Sequence, residues 1–182
     1  MRIYEFEIVE GQEWALPVDD RDFEVFRGFD GTPRREGWEP VRVYLLKETE
    51  HHLCEYSDFP WLHQHVPVLK RRAVDAVGEV LSKYGELLPL SCDEAELVAF
   101  NACRVIDALD LEGTQVVRFP DSERIMRVES YAFKAETLQG VQVFKVPQLL
   151  LGPLFIDQTV VDLVHQARLE RVAFRLLWES KP

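Results

Sequence analysis

Cysteine is scarce in this chain of 182 residues: Cys54, Cys92 and Cys103 are an odd number and form no CxxC pair. That argues against a disulfide framework and for a reducing compartment. Glycine is thin too, with nine residues scattered singly. They assemble no GxGxxG or GxxxxGK[ST] motif, so nothing brings consecutive backbone N–H groups together to cradle a phosphate. HExxH and GxSxG are also missing. No apolar run approaches the roughly 18 residues that span a bilayer. Glu5 and Glu7 interrupt the N-terminal stretch where a signal peptide needs continuous apolar residues. The expected location is the cytoplasm. Positive charge is the last shortage: 21 Lys and Arg face 32 Asp and Glu, a formal net of −11. Counterion release needs clustered cations, so direct nucleic-acid binding is disfavoured. An anionic membrane surface is disfavoured for the same reason. A basic protein is what such a field steers in.

Apolar material is plentiful. The chain is 47% hydrophobic and 11% aromatic, with 29% charged residues, enough to bury a sizeable core. Its length predicts one domain, residues 1–182. The first nine residues alternate as a strand, with Tyr4, Phe6 and Ile8 on one face and a face wet at Glu5 and Glu7 on the other. Residues 11–40 read as irregular apart from a short helix between Asp19 and Phe26, and 41–46 as a strand. Residues 47–67 read as a polar, His-rich loop. Ala73, Val74, Val77, Val80, Leu81 and Tyr84 recur at spacings of three and four, which predicts the main helix, with Gly85 as its C-terminal cap. Strands are predicted over 86–90, 97–105, 115–119, 124–133, 141–146 and 172–178, and a second helix capped by Asp157. A weak internal echo links 66–90 with 152–177, each an X-Pro start, one helix and a strand. The class is α+β, a largely antiparallel sheet of about seven strands with two principal helices.

One loop collects candidate ligands: His51, His52, Cys54, His63 and His65 lie within fifteen residues. They would suit Zn²⁺ or a Cys–His nucleophile. Against this, His-x-His in a loop fixes no geometry and no orienting third group is evident. The expectation is therefore no metal, no cofactor and no catalytic residue, with a metal-dependent or Cys/His enzyme as the alternative. Acidic charge is more informative. Residues 1–60 hold 15 acids and 7 bases, and residues 86–112 hold seven acids against Arg104. Two acidic clusters fall where turns are expected, Asp19, Asp20, Asp22 and Glu24, and Asp93, Glu94 and Glu96. They are the candidate contacts for a basic partner, against the plainer reading of a solvated surface.

Several apolar and turn motifs, taken in order, carry a resemblance. They are Phe29-Asp30-Gly31-Thr32-Pro33 with Trp38-Glu39-Pro40, Asp58-Phe59-Pro60-Trp61, and Gly85-Glu86-Leu87-Leu88-Pro89-Leu90. Ala99-Phe100-Asn101 with Arg104-Val105-Ile106-Asp107-Ala108-Leu109-Asp110 follows, then Tyr131-Ala132-Phe133-Lys134, Phe144-Lys145-Val146-Pro147-Gln148 and Leu177-Trp178-Glu179-Ser180. The chain resembles the myxobacterial-type immunity proteins of bacterial polymorphic-toxin systems, formerly a domain-of-unknown-function family. The resemblance implies a protein that binds and neutralises a cognate toxin, often a nuclease, and it brings no catalytic residues. Its markers Asp30, Gly31, Trp38, Gly85, Asn101, Asp107, Pro147 and Trp178 read as scaffold: a turn needing positive φ at Asp30-Gly31, a strand end at Pro147, and aromatic anchors at Trp38 and Trp178. An acidic adaptor for some other basic protein is the remaining alternative. Oligomeric state is not legible.

Overall fold

A computed structural model describes residues 1–48 and 53–180. Among these, strand β1 spans Arg2–Glu7 and β2 Trp14–Pro17, followed by a 3₁₀ turn (Asp20–Asp22) and helix α1 (Phe23–Arg27). Next come β3 (Val43–Leu46), β4 (Val68–Lys70), helix α2 (Arg71–Leu81), β5 (Gly85–Leu90) and β6 (Leu97–Ala102). Then follow β7 (Gln115–Arg118), β8 (Ile125–Ser130), β9 (Val143–Phe144), β10 (Phe155–Asp157), helix α3 (Gln158–Gln166) and β11 (Ala173–Glu179). Every pairing between these strands is antiparallel.

The α+β class holds, but its details differ from the expectation. Eleven described strands form four small sheets, ordered β11-β1-β10-β9, β2-β3, β4-β6-β5 and β7-β8, with three α-helices. The missed strands β2, β4 and β10 are three or four residues long and run into a proline or straight into a helix, so none repeats long enough to show alternation. The expected strand over 124–133 ends at Ser130, because Thr114 engages the Ala132 backbone with its hydroxyl instead. The segment 141–146 keeps only the pairing of Val143 and Phe144 with β10.

Two strand–helix–strand segments organise the molecule. In one, β4 and β5 flank the antiparallel β6; in the other, β10 and β11 flank the antiparallel β1. These are the two stretches that echo one another in sequence. Ala73, Val77 and Leu81 of α2 and Val160, Val161 and Val164 of α3 join one buried cluster with Phe6 and Phe100. A second cluster gathers Phe26, Phe29, Val43, Val66 and Leu88, and a third gathers Ile3, Leu109, Phe133, Phe144 and Phe155.

Asp157 caps α3, accepting from the N–H groups of Thr159 (2.9 Å) and Val160 (3.3 Å). Gly85, expected to cap α2, does something else. The helix stops at Leu81 with Ser82 as its cap, and Gly85 opens β5. A Cβ there would lie 2.2 Å from the Asn101 carbonyl oxygen, so the close β5–β6 approach excludes any side chain. Glu5 corrects a second expectation. Its face of β1 is wet only at Glu7, because the Glu5 carboxylate is buried and held by Arg175 from the paired strand. The segment before β4 is the third correction. Ser57, Asp58, Phe59, Pro60, Leu62, His65 and Val66 are buried. They form an inner strap, bound to residues 13–15 through Glu13 N–Glu55 O (2.9 Å), Ala15 N–Trp61 O (2.9 Å) and Trp61 N–Glu13 O (3.0 Å).

Candidate functional site

The segments that carry the two acidic clusters are hydrogen-bonded to the chain on either side of Arg42. Val18, just past β2, donates its N–H to the Arg42 carbonyl at 3.0 Å, and the chain then enters the 3₁₀ turn. On the other side Val43 donates to Ser91 O at 2.8 Å, which sets the 93–96 segment beside the start of β3. Arg42 Nη2 reaches Asp93 Oδ2 at 3.0 Å. Asp20, Glu24, Asp93, Glu94 and Glu96 are exposed, and Asp19 and Asp22 half-buried.

Most of these acids already have a local task. Asp19 caps the 3₁₀ turn, accepting from Arg21 N at 2.9 Å and from the Arg21 guanidinium, and those bonds hold its pKa down to about 2. Glu24 pairs with Arg27. Glu94 accepts from Lys47 and from Leu45 N (3.1 Å), which lowers its pKa and blocks the outer edge of β3. Glu96 lies 3.9 Å from Arg71. Among the described residues Asp20 and Asp22 have no cation within ion-pair distance. These segments are therefore dense in charge of both signs, with their uncompensated acids at the 3₁₀ turn. Arg42, Lys47 and Arg71 were missed in the sequence; Arg42 and Lys47 flank β3, whose alternation was the available signal.

The candidate metal ligands are not gathered. Cys54 lines the cleft beside Glu13, Tyr56 and Lys70, whereas His63 lines an apolar cavity against Phe6 and Phe59. His51 and His52 lie outside the described residues. Among the described residues no group of three His, Cys, Asp or Glu side chains is placed to share an ion. His63 and His65 do meet, with their Nδ1 atoms 2.6 Å apart. His65 Nε2 lies 3.0 Å from the Phe26 carbonyl, which accepts only, so Nε2 carries the proton and Nδ1 accepts from His63. Burial pushes the His65 pKa down to about 3, with His63 and Lys145 adding to the effect.

The sign of its pH dependence follows. The folded state holds the His65 proton more weakly than the unfolded state, whose pKa is near 6.5. Stability is therefore complete above pH 6.5 and falls as the pH drops from there toward 3. Urea unfolding of the wild type and His65→Gln is expected to show that fall blunted in the variant, which keeps a donor for Phe26 without titrating. Parallel curves would refute the assignment.

Lys145 is a buried cation. Its ammonium donates to the carbonyls of Phe29 and Leu150 (3.0 Å to the latter), and burial lowers its pKa to about 8. Nearby, burial raises the Cys103 thiol to about 11, the opposite of an activated nucleophile.

The remaining markers make contacts within the fold. Gly31 adopts φ of +104° and Asp30 accepts from Thr32 N (3.1 Å), the turn that their order predicted. Trp38 packs at a tilt against Phe29, with ring centres 5.8 Å apart, and donates Nε1–H to Pro89 O at 2.8 Å. Trp178 lies edge-on to Phe133. Asn101 is buried on β6 and donates to Thr32 O (2.9 Å) and to Glu86 (3.2 Å), whose carboxylate also accepts from Arg34 N. Asp107 is exposed, and its bond from Gln148 lowers its pKa. Pro147 does not end a strand; it opens a 3₁₀ turn after β9, where its fixed φ suits the first position.

Residues 97–177 match the Immunity protein family (Imm11). The search of curated proteins found no match. The Imm11 segment runs from β6 into β11 and contains Asn101, Asp107 and Pro147. Both acidic clusters, with Asp30, Gly31, Trp38, Gly85 and Trp178, lie outside it. The matched family is described as one of immunity proteins, and the match covers less than half of the chain. No helix among the described residues is long and apolar enough to cross a membrane.

Proposed function

We propose that this protein is a non-enzymatic immunity protein that binds a cognate antibacterial toxin and neutralises it by stoichiometric contact. The Imm11 match over 97–177 is the observation that carries the reading. Within it, we assign the toxin to the polymorphic-toxin class, with a basic, nuclease-type effector domain, and place the encounter in the cytoplasm of the producing cell or its kin. The support is charge. A nuclease carries cations for its polyanionic substrate, and an inhibitor of net charge −11 complements them and gains association rate.

Asp20 and Asp22 are the acids of the two clusters with no cation to give up. Asp93, Glu94 and Glu96 would have to exchange theirs. Contact there is expected to weigh most on the 3₁₀ turn. The test is surface plasmon resonance with the toxin domain proposed as its partner, at low and high salt. Asp20→Asn with Asp22→Asn is expected to lower the association rate by about tenfold at low salt and flatten its salt dependence. Asp93→Asn with Glu96→Gln should act less. Unchanged rates in both would make these acids a solvated surface. Absence of any binding would remove the immunity reading itself.

A further inference from the structure

The hairpin of β7 and β8 is the least supported part of the fold. It forms a two-stranded sheet of its own, and neither strand contains a buried residue, although Val116, Val117, Ile125, Met126 and Val128 supply apolar side chains. A lone two-stranded hairpin is marginal in water, and a third strand is what stabilises such a unit.

Residues 124–128 all line one groove of about 700 Å³, whose facing wall is the segment 147–153. Successive strand residues point to opposite faces. Five in a row on one groove means that it follows the backbone edge of β8, and β7 occupies only the other edge. The apolar wall includes Met126 and Leu151, which are 50% and 45% exposed. The charges are Arg124, Arg127 and Arg175 against Glu5; Arg175 already holds Glu5, and Arg127 pairs with Glu129 at 2.8 Å. In a chain of net −11 this groove is locally cationic. On its far wall Gln148 gives its amide N–H to Asp107, while its Oε1 is shielded from solvent with no donor among the described residues.

We propose that this groove takes an extended, acidic and apolar segment of a partner protein as a third strand on the free edge of β8. Its main chain would pair with residues 125–128, its apolar side chains would pack on Met126 and Leu151, and its carboxylates would meet Arg124 and take Arg127 in exchange for Glu129. Backbone bonding supplies affinity in this mode and the alternate side chains supply selectivity. The surface is separate from the two acidic clusters and calls for the opposite charge, so the inference stands independently of the toxin reading.

The probe is a fluorescein-labelled short peptide alternating valine or threonine with glutamate, and its counterpart with lysine for glutamate. Both are titrated with the full chain by fluorescence anisotropy. The glutamate peptide is expected to bind at least about tenfold more tightly, and Arg124→Glu with Arg127→Glu to reverse that preference, which also reports a folded variant. Hydrogen exchange of the wild type with the glutamate peptide should slow at residues 125–128. Binding of neither peptide, equal binding of both, or unchanged exchange at β8 would overturn the proposal.

Discussion

Replacing Glu13 with alanine is expected to destabilise the fold by about 3–5 kcal/mol. Glu13 and Lys70 form an ion pair with side chains 3% and 9% exposed. Glu13 also accepts from Ser57 N at 2.8 Å, and the Lys70 ammonium lies 3.8 Å from the centre of the Tyr56 ring. Truncation leaves that ammonium buried without its carboxylate. The pair as a whole is worth much less than either half, because desolvating two charges offsets most of their attraction. Glu13→Leu with Lys70→Met is therefore expected to recover most of the loss, short of roughly 1–3 kcal/mol for the Ser57 N–H left without an acceptor. Urea unfolding of the wild type, both single variants and the double variant measures the cycle. A Glu13→Ala loss below about 1 kcal/mol would mean that water reaches Lys70.

Leu81→Ala is the second large effect, at about 2–5 kcal/mol from lost burial and the cavity left behind. Leu81 is 1% exposed and ends α2 within the cluster that also holds Val77, Phe100, Val160 and Val164. The cavity would open where α2 and α3 share one core, so collapse from either side is resisted by the other. The same urea assay reads the change. A loss under about 0.5 kcal/mol would remove Leu81 from the core of the fold.

How much the sequence disclosed depended on how long each pattern ran. The stripe through Ala73, Val77 and Leu81 and the cap at Asp157 are local and repeat or point within one element, and both stand as read. Gly85 was misread because its reason is not local: the constraint is the Asn101 carbonyl on another strand. Glu5 and Asp58 look like surface acids in sequence and are buried, since their partners Arg175 and Arg72 arrive from elsewhere in the chain. The acidic clusters were visible as charge. What composition hid was that Arg42, with Lys47 and Arg71 nearby, neutralises part of them and leaves Asp20 and Asp22 uncommitted. The groove beside β8 was beyond reach, because it is made by two loops' relative placement.

The position of β1 between β10 and β11 has a consequence for how the chain is made. Residues 2–7 are made before every strand they pair with, since β10 and β11 lie past residue 154. Until residues 155–179 have followed, Ile3, Tyr4 and Phe6 have no sheet to join. The three-stranded β4-β6-β5 unit with α2 needs only residues 68–102 and can form well before that. Closing so long a loop costs entropy before it returns any contact. The waiting N-terminal strand is thus the segment most exposed to mispairing with neighbouring nascent chains, and a solubilising fusion at the N-terminus should raise yield more than one at the C-terminus.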